Sequence, residues 1–306
     1  MKIAFAGAGA VGCHYGSRLQ QAGSELLFLA RGAHLATLQQ HGLLHESEGV
    51  TQRLQISATD DPIALCSADV LIFSSKMTGL QPLIDRFRDK VNTDTLLVTM
   101  QNGVEAPQWL QQAFPHHAIA AATAFIGARL EAPGYLVHSA AGGIRLGLWQ
   151  AGQAEGLLPE LVEQFKAAQV PCRIEADVAA MLWRKLLWNT GFNAITAIHR
   201  RFARQMCEDE KMLAIVRSAM EETVNVAQAE GINIGEADIE AHIDVTMKMG
   251  PVKTSMWQDI EAGHKSEVAY INGAVVRVGE KLGMAVPVNR MLWQQIQDIE
   301  SNLCIK

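Results

Sequence analysis

Three polar side chains recur at four-residue intervals in an otherwise apolar stretch of the chain. Lys185, Asn189 and Asn193 stand at i, i+4 and i+8, so a helix would place all three on one face. Their neighbours are strongly apolar, which predicts a largely buried helix, and a buried lysine is costly unless it has partners or a task. An ammonium beside two amides could hold a small polar molecule and protonate it. The same spacing also suits a structural polar network, or a lysine whose ammonium reaches solvent.

A second set of residues, at the amino terminus, has the spacing of a dinucleotide-binding loop. The apolar run 3–6 predicts a short buried strand, and a helical pattern follows the glycines. Between them lies what we call the glycine loop, which consists of Gly7, Ala8, Gly9, Ala10, Val11 and Gly12. In such a loop the first glycine permits a tight turn, the second lets the backbone approach a pyrophosphate, and the third lets the helix pack closely. The helix N-terminus adds free N–H groups and a positive dipole end. The alternative interpretation is an ordinary glycine-rich turn between a strand and a helix.

The end of the second predicted strand bears on the choice of dinucleotide. Apart from Glu25, residues 25–30 are apolar, and they are followed by Arg31. An NAD site usually has Asp or Glu here, about 20 residues past the glycines, to accept hydrogen bonds from the ribose. A guanidinium can instead pair with a 2′-phosphate through two parallel hydrogen bonds. We therefore expect NADP(H), with a solvated surface arginine as the alternative.

Two further polar residues follow predicted central strands. The run 68–75 ends just before Lys76, and the run 95–100 leads into the turn Gln101-Asn102-Gly103. Ligands of open parallel sheets lie beyond the carboxyl ends of the strands, so Lys76 and Asn102 are expected to point toward a cofactor and substrate crevice. Plain solvation of Lys76 and simple turn chemistry at Asn102 are the alternatives.

The order of strand-like and helix-like segments predicts an α/β protein of two domains. Strand patterns continue to residue 174, including a small edge strand at 54–58 and separate strands at 135–138 and 144–149. After Asp177 the patterns are helical, at 178–198, 208–230, 236–248, 254–282 and 288–303. This predicts an NADP-binding Rossmann-type parallel sheet domain at 1–177 and an all-helical substrate domain at 178–306. Within the latter, Glu267 is expected in the first turn of a helix that starts near Ser266, and a favourable placement relative to the helix dipole is the alternative to a role in the site.

Composition excludes several classes of function. The chain has 306 residues, 49% of them hydrophobic, and a net charge of −6, which disfavours a nucleic-acid or anionic-membrane partner. Its five cysteines are odd in number and lack a C-x-x-C pair, so we expect free thiols, a reducing compartment and no metal site. Without a signal-peptide pattern or an apolar run of about 18 residues, we expect a cytoplasmic protein.

Taken together, these motifs resemble the ketopantoate reductases (2-dehydropantoate 2-reductases). The resemblance covers nearly the whole chain, from the glycine loop to the W-R-K-L-x-x-N-x-x-x-N run and S-M-x-Q-D-I followed by S-E-V-x-x-I-N-G. It implies a Rossmann domain, a helical domain and an active site in the cleft between them. It also implies NADPH-dependent reduction of a small 2-oxo acid, 2-dehydropantoate, to pantoate in pantothenate and coenzyme A biosynthesis.

The resemblance further implies a role for each candidate residue. Lys185 would be the general acid, and Lys76 and Asn102 would lie at the junction of cofactor and substrate. The remaining substrate ligands would be Asn189, Asn193, Ser255 and Glu267. Hydride addition builds negative charge on the carbonyl oxygen, and an ammonium aimed at that oxygen would stabilise the charge and donate the proton.

Two departures bear on the substrate rather than on the reaction. Some family members have an asparagine three residues before the serine that matches Ser255, whereas this chain has Val252, and its 199–201 loop is unusually basic. The alternatives are an NADP-dependent reductase of another 2-oxo acid and a β-hydroxyacid-type dehydrogenase. A non-catalytic NADP-binding regulator is a third, although it would have no need for Lys185. We expect the protein to be a monomer or a homodimer.

Overall fold

The computed structural model describes residues 1–303, which divide into two compact units. The first comprises Met1–Gln101 and Ala106–Val178, and the second comprises Asn102–Glu105 and the chain from Ala179 onward. A four-residue loop from the first half of the sequence therefore belongs with the helical unit. The assignment of 1–177 to NADP binding and of 178–306 to the substrate stays a prediction.

The first unit contains all the strands of the described chain together with five of its α-helices. The strands are β1 (Lys2–Ala6), β2 (Glu25–Leu29), β3 (Leu43–Ser47), β4 (Val50–Leu54), β5 (Ala58–Thr59), β6 (Val70–Phe73), β7 (Leu96–Thr99), β8 (Ile119–Ala132), β9 (Tyr135–Gln150) and β10 (Cys172–Ile174). The helices are α1 (Ala10–Gln21), α2 (Gly32–His41), α3 (Met77–Phe87), α4 (Ala106–Ala113) and α5 (Leu157–Ala167).

The strands form one sheet in the order β4-β3-β9-β8-β7-β6-β1-β2-β5, with β10 beside β9. The neighbours from β5 through β8 all pair in parallel, whereas β3–β4 and β8–β9 are antiparallel. The strand order reverses between β1 and β6, which is the topological switch point where open α/β sheets bind their ligands. The predicted α/β class with an N-terminal parallel sheet is confirmed.

The central strands are apolar throughout because helices cover both faces of a parallel sheet. Every residue of β6 and β7 is buried, and Phe5 of β1 stacks on Phe28 of β2 with ring centroids 5.3 Å apart. The polar alternation that marks a half-exposed strand is therefore missing from these segments.

Two strand predictions were wrong in detail. The segments 135–138 and 144–149 belong to the single strand β9, because Ala141 and Gly142 take positive φ angles of 58° and 124° and form a bulge rather than a turn. The predicted edge strand at 54–58 is instead the end of β4 and the start of β5.

Helix α6 spans Val178–His199, and its first residue is the last residue of the first unit. The helical unit contains this helix and six further α-helices. These are α7 (Ala203–Cys207), α8 (Glu210–Ala229), α9 (Glu236–Met247), α10 (Ser255–Glu261), α11 (Asn272–Leu282) and α12 (Pro287–Ser301). Helix α6 is apolar around most of its circumference and is buried accordingly. Within residues 1–303, no helix is long and apolar enough to cross a membrane.

Buried side-chain hydrogen bonds fix α6 against its neighbours. Asn272 Nδ2 donates to the Thr190 carbonyl and to Asn289 Oδ1, at 3.1 and 3.0 Å. Asn289 Nδ2 donates to the Ala219 carbonyl at 2.9 Å, and the hydroxyls of Thr190 and Thr223 lie 3.0 Å apart. These bonds satisfy polar groups that would be costly to bury unpaired, and they join α6, α8, α11 and α12.

The cysteines of the described chain are free thiols. Cys13, Cys66, Cys172 and Cys207 form no disulfide, and Cys304 lies outside the described residues. Burial raises the pKa of Cys13 and of Cys172 to about 12, so neither thiol is a ready nucleophile.

Three buried histidines pack together beside α1 in the first unit. The ring centroids of His14 and His138 are 4.2 Å apart, and those of His14 and His45 are 5.4 Å apart. Burial lowers the pKa of His14 to about 3 and that of His45 to about 4, and the neighbouring imidazoles and Arg18 act in the same direction. The folded protein therefore holds the rings of His14 and His45 neutral.

This cluster predicts a loss of stability in mild acid. A histidine whose folded pKa is lowered contributes stability above its unfolded pKa of 6.5, and that contribution is lost as pH falls toward the folded value. For His14 at pH 5 the loss is about 2 kcal/mol, since one pKa unit is worth ~1.4 kcal/mol. The free energy of unfolding in urea should differ less between pH 7.5 and pH 5.0 in His14→Leu than in the wild-type protein. The exposed His116→Gln serves as control, and an equal pH dependence in all three proteins would contradict the prediction.

Candidate active site

Steric contacts in the first unit explain two glycines of the glycine loop. Gly7 has a φ of +130°, and a Cβ there would lie 2.8 Å from the Ser75 nitrogen. A Cβ on Gly12 would overlap the Gly7 carbonyl oxygen and come within 2.6 Å of Ser74 Oγ. Ser74 Oγ also donates a hydrogen bond to that carbonyl at 2.7 Å. The loop thus packs directly on the segment that follows β6, and a larger residue at either position would displace it.

The remaining glycine, Gly9, leaves the start of α1 open to a ligand. A Cβ at Gly9 would meet no atom closer than the Ser74 carbonyl oxygen at 4.0 Å. Gly9 is the N-cap residue of α1, it supplies no capping side chain, and the first turn contains no acidic residue. The helix N-terminus therefore offers N–H groups and a positive dipole end without a side-chain acceptor, which fits a pyrophosphate.

Arg31 and Lys76 lie at the same edge of the sheet as the glycine loop. Arg31 follows β2 and is the exposed N-cap residue of α2, while Lys76 follows β6 and is the exposed N-cap residue of α3. Because β2, β1 and β6 are parallel neighbours, all three connections emerge at their carboxyl ends. The first unit thus brings together all of its predicted cofactor ligands at the switch point.

Gln101 has a role in this edge that the sequence did not reveal. Its buried Nε2 donates to the carbonyls of Phe73 and Ser75 at 2.9 and 3.1 Å, and its Oε1 accepts from Thr99 Oγ1 at 2.5 Å. The side chain ties the ends of β6 and β7 together. The position of its amide directly after a buried strand was the only available signal.

In the helical unit, the polar stripe predicted on α6 is present. Asn189 and Asn193 are buried, with 3% and 2% of their surface exposed. Asn189 Nδ2 and Asn193 Oδ1 have no hydrogen-bond partner among the described residues. Buried amide groups normally find partners, so these two atoms are suited to bind polar groups of a ligand.

Lys185, on the same stripe, has an acidity suited to proton transfer. Burial lowers the pKa of Lys185 to about 8, and the nearby carboxylate of Glu267 opposes this shift. The ammonium form therefore predominates at neutral pH, yet it releases its proton far more readily than an ordinary lysine does.

Glu267 is buried and lies beside the turn that contains Asn102. Its carboxylate accepts a hydrogen bond from Asn102 Nδ2 at 3.0 Å. Asn102 is 165 residues away in sequence and reaches this position because the loop Asn102–Glu105 belongs to the helical unit. The unit thus brings Asn102, Lys185 and Glu267 into one charged cluster.

The prediction that Glu267 begins a helix near Ser266 was wrong, as was the continuous helix at 254–282. Helix α10 ends at Glu261, Gly263 has a φ of +73°, and a single 3₁₀ turn occupies Val268–Tyr270 before α11. Ser266 Oγ donates to Glu300 Oε1 at 2.6 Å and accepts from the Val268 nitrogen at 3.2 Å, which holds the chain in a turn. Glu267 therefore points into the protein and is not a residue that serves the helix dipole.

Ser255 is the exposed first residue of α10. The preceding residue, Thr254, caps this helix, and its Oγ1 lies 2.8 Å from Thr196 Oγ1 on α6. Thr196 stands three residues after Asn193 on the same helix. Ser255 is thus anchored toward the Asn193 end of the stripe through its neighbour, and its own hydroxyl stays accessible.

Comparison with known families identifies two matching family models. A family model described as "Ketopantoate reductase PanE/ApbA" matches residues 3–151, and one described as "Ketopantoate reductase PanE/ApbA C terminal" matches residues 177–300. The crystal structure of a PanE/ApbA family ketopantoate reductase from Ralstonia eutropha is 32% identical, with a TM-score of 0.90 over 98% of this chain and 99% of that one.

The chain belongs to the ketopantoate reductase family.

One further relative supports the family, and one further solved structure shares the fold. A 2-dehydropantoate 2-reductase from Nostoc sp. is 27% identical over 98% of this chain and 95% of its own length. A ternary structure of D-mandelate dehydrogenase with NADH and anilino(oxo)acetate has a TM-score of 0.94 at 24% identity, and each chain is covered in full. The second likeness shows the fold alone. The chain belongs to a family of reductases and is therefore an oxidoreductase.

The charged cluster predicts a measurable effect of Glu267 on Lys185. A neighbouring negative charge favours the ammonium form, so Glu267→Gln should lower the pKa of Lys185 further below about 8. The titration can be followed in the ligand-free protein through the lysine ε-methylene carbon by NMR. Glu261→Gln, which removes an exposed carboxylate from α10, should leave the titration unchanged. An unaltered Lys185 titration in Glu267→Gln would show that the two groups are not coupled.

Proposed function

We propose that this ketopantoate reductase family member reduces 2-dehydropantoate to pantoate with NADPH. The observation that carries the proposal is a polar cluster in the helical unit. The buried carboxylate of Glu267 accepts a hydrogen bond from Asn102 and acts on Lys185, and Lys185 shares a helix stripe with the buried amides of Asn189 and Asn193. The family membership and the names of the relatives support the reaction type.

The proposed reaction adds a hydride to the C2 carbonyl carbon and a proton to its oxygen. When bound, the dihydronicotinamide of the cofactor supplies the hydride. Lys185, in its ammonium form, donates an N–H to the carbonyl oxygen and transfers the proton as negative charge develops there, which leaves the lysine as a neutral amine. A pKa of about 8 suits both halves of this role, because the proton is present at neutral pH and can be released.

Glu267 and Asn102 support the acid in this scheme. The Glu267 carboxylate stabilises the ammonium before the transfer, and the hydrogen bond from Asn102 Nδ2 orients that carboxylate. Asn189, Asn193 and Ser255 are proposed to bind the carboxylate and hydroxyl of the substrate. Their amide and hydroxyl groups can both donate and accept, as such a ligand requires.

The proposed choice of NADPH depends on the edge formed by β2, β1 and β6. The open N-terminus of α1 at Gly9 fits the pyrophosphate, and the exposed Arg31 follows β2, where a carboxylate would favour NADH. Lys76, after β6, is proposed to bind the cofactor on its other side.

One residue favours a second candidate, a reductase of a different 2-oxo acid. Val252 stands where some family members have a substrate-binding asparagine, and it is half-buried. A valine cannot hydrogen-bond a hydroxyl, so a less polar side chain on the substrate would suit this position better. NADPH oxidation assayed against a panel of 2-oxo acids that includes 2-dehydropantoate distinguishes the two candidates.

The assignment of Lys185 as the acid predicts a large effect on turnover. Lys185→Ala should lower kcat by about 10²-fold or more, because proton donation is lost. NADPH affinity, measured by fluorescence titration, should change little, because the glycine loop and Arg31 belong to the other unit. Lys185→Arg should restore little activity, since a guanidinium keeps the charge but releases its proton poorly.

The exposed lysine of α8 is a matched control, and Lys211→Ala should retain the wild-type kcat. Wild-type turnover in Lys185→Ala would show that this lysine is structural and that the proton comes from another group.

The assignment of Arg31 predicts a change in cofactor preference. Arg31→Ala should weaken NADPH binding about ten- to a hundredfold, since a charged hydrogen bond is worth ~1.5–3 kcal/mol. NADH binding should change much less, because NADH has no 2′-phosphate. The exposed Arg88→Ala is the control for a general loss of positive charge. Equal losses for NADPH and NADH in Arg31→Ala would reject the assignment.

A further inference from the structure

We propose that Arg277 is a positioning residue that holds Asn102 and Glu267 together. It lies on α11 and, in the proposed function on which this inference rests, touches neither substrate nor cofactor. Its role is to join the two segments that carry these side chains.

All three guanidinium nitrogens of Arg277 donate hydrogen bonds. Nε and Nη2 donate to the two carboxylate oxygens of Glu105, at 3.3 and 2.7 Å, which is a bidentate pair. Nη1 donates to the Ala269 carbonyl at 2.8 Å. One side chain therefore connects the Asn102–Glu105 loop with the 3₁₀ turn at Val268–Tyr270.

Both contacts are close in sequence to a predicted substrate ligand. Glu105 is three residues after Asn102, and Ala269 is two residues after Glu267. The backbones also approach closely, since a Cβ on Gly103 would lie 2.6 Å from the Tyr270 carbonyl oxygen. The loop and the turn are thus joined twice. The hydrogen bond between Asn102 and Glu267 joins them at one point, and Arg277 joins them at another through Glu105 and Ala269.

The chemistry of the pair favours positioning over stability. The side chains of Arg277 and Glu105 are 39% and 22% exposed, and ion pairs with this much solvent contribute little to folding. A planar guanidinium nevertheless fixes the direction of each bond, which a lysine cannot reproduce. Without Arg277, the loop and the turn lose their shared anchor, and the Glu267 carboxylate is no longer held beside Lys185.

The test compares Arg277→Met with a matched pair elsewhere in the unit. Arg290 donates to Glu280 at 2.8 Å and is 43% exposed, so Arg290→Met removes a similar ion pair that does not reach the loop. In Arg277→Met we expect kcat to fall about tenfold, as small displacements of catalytic groups do. The alkaline limb of the kcat profile should also shift to lower pH, because Lys185 loses the charge that favours its ammonium.

Further variants separate positioning from folding. Glu105→Gln should shift the profile in the same direction by a smaller amount, and its effect should not add to that of Arg277→Met. NADPH affinity should change little in all variants, because the glycine loop and Arg31 belong to the other unit. If Arg277→Met lowers only the melting temperature and leaves the pH profile and KM as in Arg290→Met, the residue is merely structural and the proposal is overturned.

A direct titration of Lys185 distinguishes failure of this inference from failure of the proposed function. In the ligand-free protein, the NMR pKa of Lys185 should fall in Arg277→Met and stay constant in Arg290→Met. This readout needs no substrate, so it decides the positioning role even if the wild-type enzyme reduces none of the 2-oxo acids in the panel. A Lys185 pKa that is the same in both variants rejects the proposal.

Discussion

The burial of a carboxylate beside a half-buried ammonium in the helical unit is the constraint on which the candidate site depends. Taking either charge out of water is expensive, and a buried charge survives only where an opposite charge and hydrogen bonds compensate for it. Lys185 and Glu267 provide the opposite charges, and Asn102 provides a hydrogen bond to the carboxylate. The balance leaves the Lys185 pKa at about 8, which is close enough to neutrality for the group to work as an acid. A fully solvated pair would hold its proton too tightly for that task.

Such a cluster requires rigid surroundings, and the helical unit provides them through buried amides and threonines. Asn272 and Asn289 bond to each other and to the backbones of α6 and α8, so the helix that bears Lys185 cannot rotate without breaking these bonds. The carboxylate of Glu222 further accepts from the Val288 and Asn289 nitrogens at the start of α12. Asn272 and Asn289 are thus structural residues of this unit, because their amide nitrogens donate to neighbouring helices.

In the sheet unit, the candidate site is formed by glycines and small side chains, which let the backbone segments pack closely and leave the start of α1 open. Gly7 and Gly12 pack against Ser74 and Ser75, and Gln101 holds the ends of β6 and β7 in place. The loop is defined by backbone contacts, and the start of α1 is left open. Its motif is local in sequence and its chemistry belongs to the backbone, so the strand, the turn and the helix could all be predicted from 31 consecutive residues. The histidines beside α1, in contrast, come from three separate elements and gave no signal in the sequence.

By itself, the sequence determined the α/β class, the glycine loop, the position of Arg31 at the end of β2, and the polar stripe of α6. Each of these depends on residues within a few turns or one strand of each other, where spacing alone decides which side chains share a face. Only the tertiary structure decided that Asn102 belongs with the helical unit and that Glu267 points inward from a turn. The tertiary structure also decided that Arg277 joins the segment that carries Asn102 to the segment that carries Glu267. These contacts link residues up to 172 positions apart. Such pairs form only when packing brings distant segments together, and no local period in the chain encodes them.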